Sequence, residues 1–272
     1  MKKTLIAAAA ALTSLGAWSQ VTLYGLADVG ITRVSGYAGG TATQMNSGVM
    51  EGSRWGLKGE EDLGGGYKAL FTLESRFELD NGTLSNRPYS GSQLPDRLTA
   101  GLPDSLANAI SAAIAPSFGV NTNNALFDRQ SWVGLVTPVG GFLLGRQYTP
   151  AFEAVASYDI MATQSALSAG QLAIFPAGVD IRANDTLQYR VVQGPWTASL
   201  MYGFPTTASG DDQLVGLGAF YRSADFSVGL GYNSRKNSAG EQALRTTVVG
   251  ATVPWGSWRL SGLYGVIEEP NS

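Results

Sequence analysis

The side chains that most often perform chemistry are missing from this chain. It contains no His and no Cys, and imidazole and thiolate are the usual general base, zinc ligand and activated nucleophile. Hydrolytic and metal-centred functions therefore lose their ordinary participants, and the sequence predicts no enzyme. What remains is fixed charge, placed at alternate residues. In Ser53 to Glu60, Arg54, Lys58 and Glu60 oppose Trp55 and Leu57. In Tyr67 to Glu78, Lys68, Thr72, Glu74, Arg76 and Glu78 oppose Tyr67, Ala69, Phe71, Leu73 and Phe77. One face of each segment is greasy and the other charged, which is the period of a strand and not of a helix. Charges held this way can line a wet surface and sort ions by their field. The plainer alternative is that each is solvated or paired locally, as Arg76 with Glu74 and Glu78.

The same alternation opens the chain at Val21 to Thr32, with Val21, Leu23, Gly25, Ala27, Val29 and Ile31 on one face. It recurs at Gln130 to Val136, Phe142 to Tyr148, Asn184 to Arg190, Trp196 to Tyr202, Leu214 to Arg222, Phe226 to Asn233, Ala243 to Val253 and Trp258 to Val266, making eleven strands. Around Arg146 the parity is ambiguous, because Phe142 and Leu144 share it; a bulge would resolve this. Short turns fall at Leu63 to Gly66, Thr137 to Gly141, Gln193 to Pro195, Ser223 to Asp225 and Pro254 to Ser257. Long loops lie between them, the rhythm of an up-and-down barrel with one elaborate rim. Alternation alone does not say whether the apolar face meets a core or lipid. The charged opposite faces, and aromatics placed at strand ends (Trp55, Tyr67, Trp196, Tyr202, Phe226, Tyr232, Trp258 and Tyr264), favour a membrane barrel with interfacial girdles over a soluble β-protein.

Two loops are unusually long. The segment 80–126 holds a candidate amphipathic helix, Asp104 to Ala115, with Leu106, Ile110 and Ile114 four residues apart before Pro116. It reads equally as a lid or subunit contact and as a cap on its own rim. The second loop, 149–179, carries Glu153, Tyr158 and Asp159 among Ala and Ser, and could hang outside or fold inward.

At the amino end, Lys2 and Lys3 precede an apolar run from Leu5 to Leu15 and a small-residue exit at Ala17-Trp18-Ser19. That reads as a cleavable export signal over 1–19, since a run of about eleven residues is shorter than the roughly 20 of a membrane-spanning helix. Without Lys2 and Lys3 the 18 basic residues become 16 against 21 acidic, a net charge of −5. Such a balance gives no general affinity for nucleic acid. Gly64-Gly65-Gly66 sits in a hairpin turn without the helix that phosphate cradling needs, and no cofactor or metal motif is present.

Several segments resemble the general porins of β-proteobacteria, of the Neisseria and Burkholderia type. They are Val21 to Gly25, Gly52 to Gly66, Leu126 to Gln130 with Val133-Gly134-Leu135, Gly145-Arg146-Gln147 and Arg182 to Asp185, in the family's order. The Gly52 to Gly66 block is the most specific, and past Tyr202 only strand rhythm is shared. The resemblance implies an all-β, antiparallel up-and-down barrel of 16 strands in the Gram-negative outer membrane, surrounded by lipid and usually homotrimeric. It implies a water-filled channel for small hydrophilic solutes and ions, narrowed by an inward loop, here 149–179. Carried over by position, the pore-lining candidates are Arg54 and Lys58, then Arg76 and Arg146, then Arg129 and Arg182, facing Glu153 and Asp159 on the loop. A substrate-specific channel and a non-conducting adhesin or structural barrel are the competing readings.

Against that family, the chain ends loop-like at Glu268 to Ser272, without a closing strand. Eleven strands is also an odd number where single-chain bacterial barrels have even ones. The sequence therefore predicts a fragment of a parent longer by about five strands, roughly 80 to 110 residues. It also predicts that the fragment forms no stable pore, because unpaired edges are costly in hydrocarbon.

Overall fold

A computed structural model describes residues 20–37, 40–84, 102–103, 105–106, 109–110, 125–164, 168–174 and 179–271. The expected export signal and most of the Asp104 to Ala115 helix lie outside them.

Eleven strands form one antiparallel sheet in the order β1-β4-β5-β6-β7-β8-β9-β10-β11-β12-β13. In chain order the strands are β1 Gln20–Leu26, β2 Val29–Tyr37, β3 Gly40–Ser47, β4 Arg54–Gly64, β5 Tyr67–Arg76, β6 Gln130–Thr137, β7 Gly140–Tyr148, β8 Arg182–Gln193, β9 Trp196–Gly203, β10 Leu214–Arg222, β11 Ser227–Lys236, β12 Gln242–Trp255 and β13 Trp258–Glu268. Strands β2 and β3 pair only with each other. The five short turns fall where the sequence places them, four of them at glycines or prolines, the tightest at Gly64, Gly65 and Gly66, all at positive φ. Among the described residues β1 and β13 are the two edges of the sheet.

The opening strand Val21 to Thr32, expected as one, is not continuous; it breaks at Ala27 and Asp28, and its second half belongs to the β2–β3 hairpin. The break has a local cause. The Asp28 carboxylate accepts from the backbone N–H groups of Val49 (3.2 Å), Met50 (2.9 Å) and Glu51 (2.7 Å), while its own N–H donates to Ser53 Oγ at 3.0 Å. Asp28 thus pins the returning end of the hairpin beside β1, which frees β1 to pair with β4.

Cross-strand register carries each face around the sheet. Phe71, Val133, Leu144, Leu187, Tyr202 and Val215 are successive partners from β5 to β10, and Leu23, Leu57 and Leu73 form a neighbouring row. This face is bare: Leu23 is 69% exposed and Val133 59%. Burying a side chain of this size gains about 1.5–3 kcal/mol, so a whole face of them left open has lipid as its natural solvent. At the short-turn end Trp196 meets Tyr221 (4.8 Å between centroids) and Tyr221 meets Phe226 (5.1 Å), with Trp255 and Trp258 exposed at the next turn. At the long-loop end Tyr202 meets Phe204 at 5.1 Å. These are interfacial girdles. Tyr232 and Tyr264, expected at strand ends, sit within β11 and β13 instead, paired with Thr247 and Val249.

The opposite face runs Lys58, Thr72, Trp132, Gly145, Thr186, Gly203 and Leu214 from β4 to β10. The excursion between β7 and β8 folds against it. Helix α1 (Pro150–Tyr158) starts with Thr149 as N-cap, whose hydroxyl accepts from Phe152 N, and with Pro150 in the first turn. Its apolar side, Ala151, Ala154, Val155 and Tyr158, forms a small core with Val179, Phe220 and Val248. The helix lies in a recess of glycines. A Cβ on Gly231 would come within 2.3 Å of Pro150 O, and one on Gly250 within 2.3 Å of the Tyr158 ring. Thr149 closes the neck of the excursion: its Oγ1 donates to Asp180 O at 2.5 Å and its N–H to Ile181 O at 3.2 Å.

The recess predicts that Gly231→Val and Gly250→Val each cost about 1–3 kcal/mol by overpacking. Urea unfolding of the protein in lipid vesicles checks this. Gly262→Val, at a position with nothing within 4 Å, should leave the midpoint in place.

Candidate functional site

At the long-loop end, strands β4 to β8 bring basic residues from five separate stretches of chain together. Arg54 opens β4 and Arg76 closes β5, and the two are register partners. Arg129 immediately precedes β6, Arg146 lies near the end of β7, and Arg182 opens β8 opposite Tyr148. Antiparallel pairing with tight turns at one end necessarily places the other strand ends side by side, so residues scattered over 129 positions become neighbours.

Three of these cations are neutralised by contact. Glu74, 4% exposed, sits at the centre: its carboxylate accepts from Arg129 Nε at 2.6 Å and Tyr24 Oη at 3.0 Å, and lies 3.5 Å from Arg54 Nε. Arg54 also pairs with Glu51. Asp128 lies 3.5 Å from Arg76 Nε and accepts from the Arg76 backbone N–H at 2.9 Å. Arg146 and Arg182 differ. Arg146 donates to the Asp128 carbonyl (2.7 Å) and to Asn184 Oδ1 (2.6 Å), and Arg182 donates to Tyr148 Oη at 3.2 Å. Among the described residues no carboxylate lies within ion-pair distance of either. Lys58, two residues along β4 from Gly56 on the same face as Arg54, places its ammonium 5.5 Å from the centroid of the Tyr24 ring.

Of the basic candidates read from sequence, the structure gathers Arg54, Arg76, Arg129, Arg146 and Arg182, with Lys58 farther along the same wall. The expected irregularity at Arg146 is present: Gly145 has φ +128°, and the β7–β8 register shifts between Gly145 and Gln147. Arg146 itself pairs with Ser131 in the β6–β7 ladder.

The two acidic candidates fare differently. Glu153, in the first turn of α1, pairs with Arg190 of β8 at 2.8 Å, and its Oε2 has no partner. Asp159 is 5% exposed, and its carboxylate is consumed within the excursion, by the N–H groups of Met161 (3.1 Å), Thr163 (3.0 Å) and Gly170 (3.3 Å) and by Ser168 Oγ. It caps α1 and shapes the following turn; it does not face the basic wall.

Sequence reasoning passed over Asp128, Tyr148 and Arg190. Arg190 had a usable signal, since it shares the polar parity of Thr186 and Gln188 in β8. Tyr148 had none, because its importance lies in what converges on it.

The geometry is that of one wall of a channel: an antiparallel sheet with one bare apolar face, a charged opposite face, and a helix folded against the charged face. A family model described as Gram-negative porin matches residues 5–272. Outer membrane porin protein 32 of Delftia acidovorans is 30% identical over 282 residues, covering 97% of this chain and 69% of its own length. An outer membrane porin of Bordetella pertussis is 36% identical over 161 residues, or 52% of this chain and 37% of its own. Among solved structures, an anion-selective porin from Comamonas acidovorans superposes with a TM-score of 0.65 at 27% identity, over 91% of this chain and 67% of that one. OmpF of Salmonella typhi, at 16% identity and a TM-score of 0.58, shares the fold. The chain accordingly belongs to the Gram-negative porin family, outer-membrane β-proteins that form passive diffusion channels and catalyse no reaction.

Proposed function

We propose that this porin prefers anions, that the basic wall of β4 to β8 is its selectivity element, and that the loop 149–179 narrows the lumen opposite that wall. The observation that carries the reading is the pairing pattern: Arg146 and Arg182 are held in place by neutral partners only, so their charge is left to act on the lumen. A cation whose nearest partners are a carbonyl, an amide and a phenol is positioned without being cancelled. Inside a narrow, low-dielectric wall such fixed charges raise the local concentration of counter-ions. The anion-selective porin from Comamonas acidovorans supports the same direction. A homotrimer is proposed with it. OmpT of Vibrio cholerae, solved in a trimer form, has the same fold with a TM-score of 0.59.

Two measurements test the selectivity element, both as reversal potentials in a salt gradient across a planar bilayer. Replacing Arg146 and Arg182 together with Gln should lower the anion-to-cation permeability ratio by about threefold at 0.1 M salt. The difference should shrink at 1 M, where the screening length falls from about 10 Å to about 3 Å. An unchanged ratio at low salt would remove these residues from the selectivity element.

Glu153→Gln should move the ratio the other way. It leaves Arg190 without its carboxylate partner and so adds one uncompensated cation to the inner wall. A ratio that falls on this substitution contradicts the assigned orientation of the field.

A further inference from the structure

Helix α1 is fastened to the far wall by polar ties: Ala151 N to Asn233 Oδ1 (3.3 Å), Arg222 to Ser157 Oγ (3.1 Å), and Ser227 and Ser261 to Tyr158. Toward the basic wall it makes an aromatic contact. Tyr148 stacks on Phe152, with ring centroids 4.6 Å apart and planes 18° apart. The Arg182 guanidinium lies 4.8 Å from the centroid of the same Tyr148 ring. The hydroxyl of that ring accepts from two arginines, Arg129 Nη2 at 3.1 Å and Arg182 Nη2 at 3.2 Å.

A phenolic oxygen has two lone pairs, so one neutral atom here holds two like charges that would otherwise separate. Arg129 is anchored from behind by Glu74. Arg182 has no such anchor, and its Nε is buried without a partner. Its place in the wall therefore depends on Tyr148, through one hydrogen bond and one cation–π contact.

We propose that Tyr148 is a positioning residue of the pore. Its hydroxyl sets the spacing of Arg129 and Arg182, and its ring carries that spacing to α1 through Phe152. This side chain, alongside the Glu153–Arg190 pair, then keeps the basic wall and the inward helix in register. The proposal rests on the reading of the basic wall as the selectivity element.

The two halves of the role separate by substitution. Tyr148→Phe deletes the acceptor and keeps the stack; Phe152→Leu deletes the stack and keeps the acceptor. Single channels of the full chain in planar bilayers are expected to show the anion-to-cation ratio of Tyr148→Phe lowered by about twofold, with unitary conductance retained. Phe152→Leu is expected to keep the ratio and raise low-frequency open-channel noise by about twofold, because α1 loses its aromatic contact with the wall and keeps only the Glu153–Arg190 pair. Tyr148→Leu should show both changes. The Arg146→Gln, Arg182→Gln variant serves as the control. If the control shifts the reversal potential and Tyr148→Phe does not, Tyr148 does not position the arginines, while the basic wall keeps its role. If neither shifts, the selectivity reading fails and this proposal falls with it. Channels of Phe152→Leu as quiet as the parent would remove the link to α1.

Discussion

In hydrocarbon, a backbone N–H or C=O without a partner costs several kcal/mol, because no water is there to replace the missing bond. Nearly every feature of this chain follows from satisfying that demand with strands. Each strand from β4 to β12 pairs along its length with a neighbour on either side. Once pairing fixes the backbone, the pleat leaves only two destinations for side chains, and alternation becomes compulsory. Leu23, Leu57 and Leu73 form one row facing outward because the residues between them, Lys58 and Thr72 among them, must face inward. The chemistry of the lumen is thus written on every second residue, whatever else the sequence does.

That is also why so much of the architecture was legible. The eleven strands of the sheet and all five short turns fall where breaks in the period-two alternation put them, four of the turns marked by glycine or proline. The pattern overextends the first strand, because its alternation runs through Ala27 and Asp28 without a fault. The interruption is made by Asp28 capturing three backbone amides more than twenty residues away, a contact that local pattern cannot display. Strand β3, Gly40–Ser47, shows no alternating pattern of its own and becomes a strand by pairing with β2.

The site was half legible. Residue types and parity identify Arg54, Lys58 and Arg76 as belonging to a polar face, and likeness to a family adds Arg129, Arg146 and Arg182. Neither shows which charges cancel. Glu74 engages Arg129 and Arg54 at once, whereas Asp159, acidic and in the right loop, spends its carboxylate on its own turn. Net charge at a site is a property of contacts between strands, and a sequence lists charges without those contacts.

The glycines beneath α1 bear on flow as well as on packing. A helix with its side chains is about 10–12 Å across, and laid on an ordinary wall it would occupy lumen to that full depth. At Gly231 and Gly250 the wall has no side chains, so Pro150, Ala154 and Tyr158 rest nearly on the strand backbone. Part of the helix's thickness is thereby taken up by the wall itself. In the proposed channel the cross-section beside α1 is therefore wider than a helix laid on an ordinary wall would leave, over the short height of a nine-residue segment.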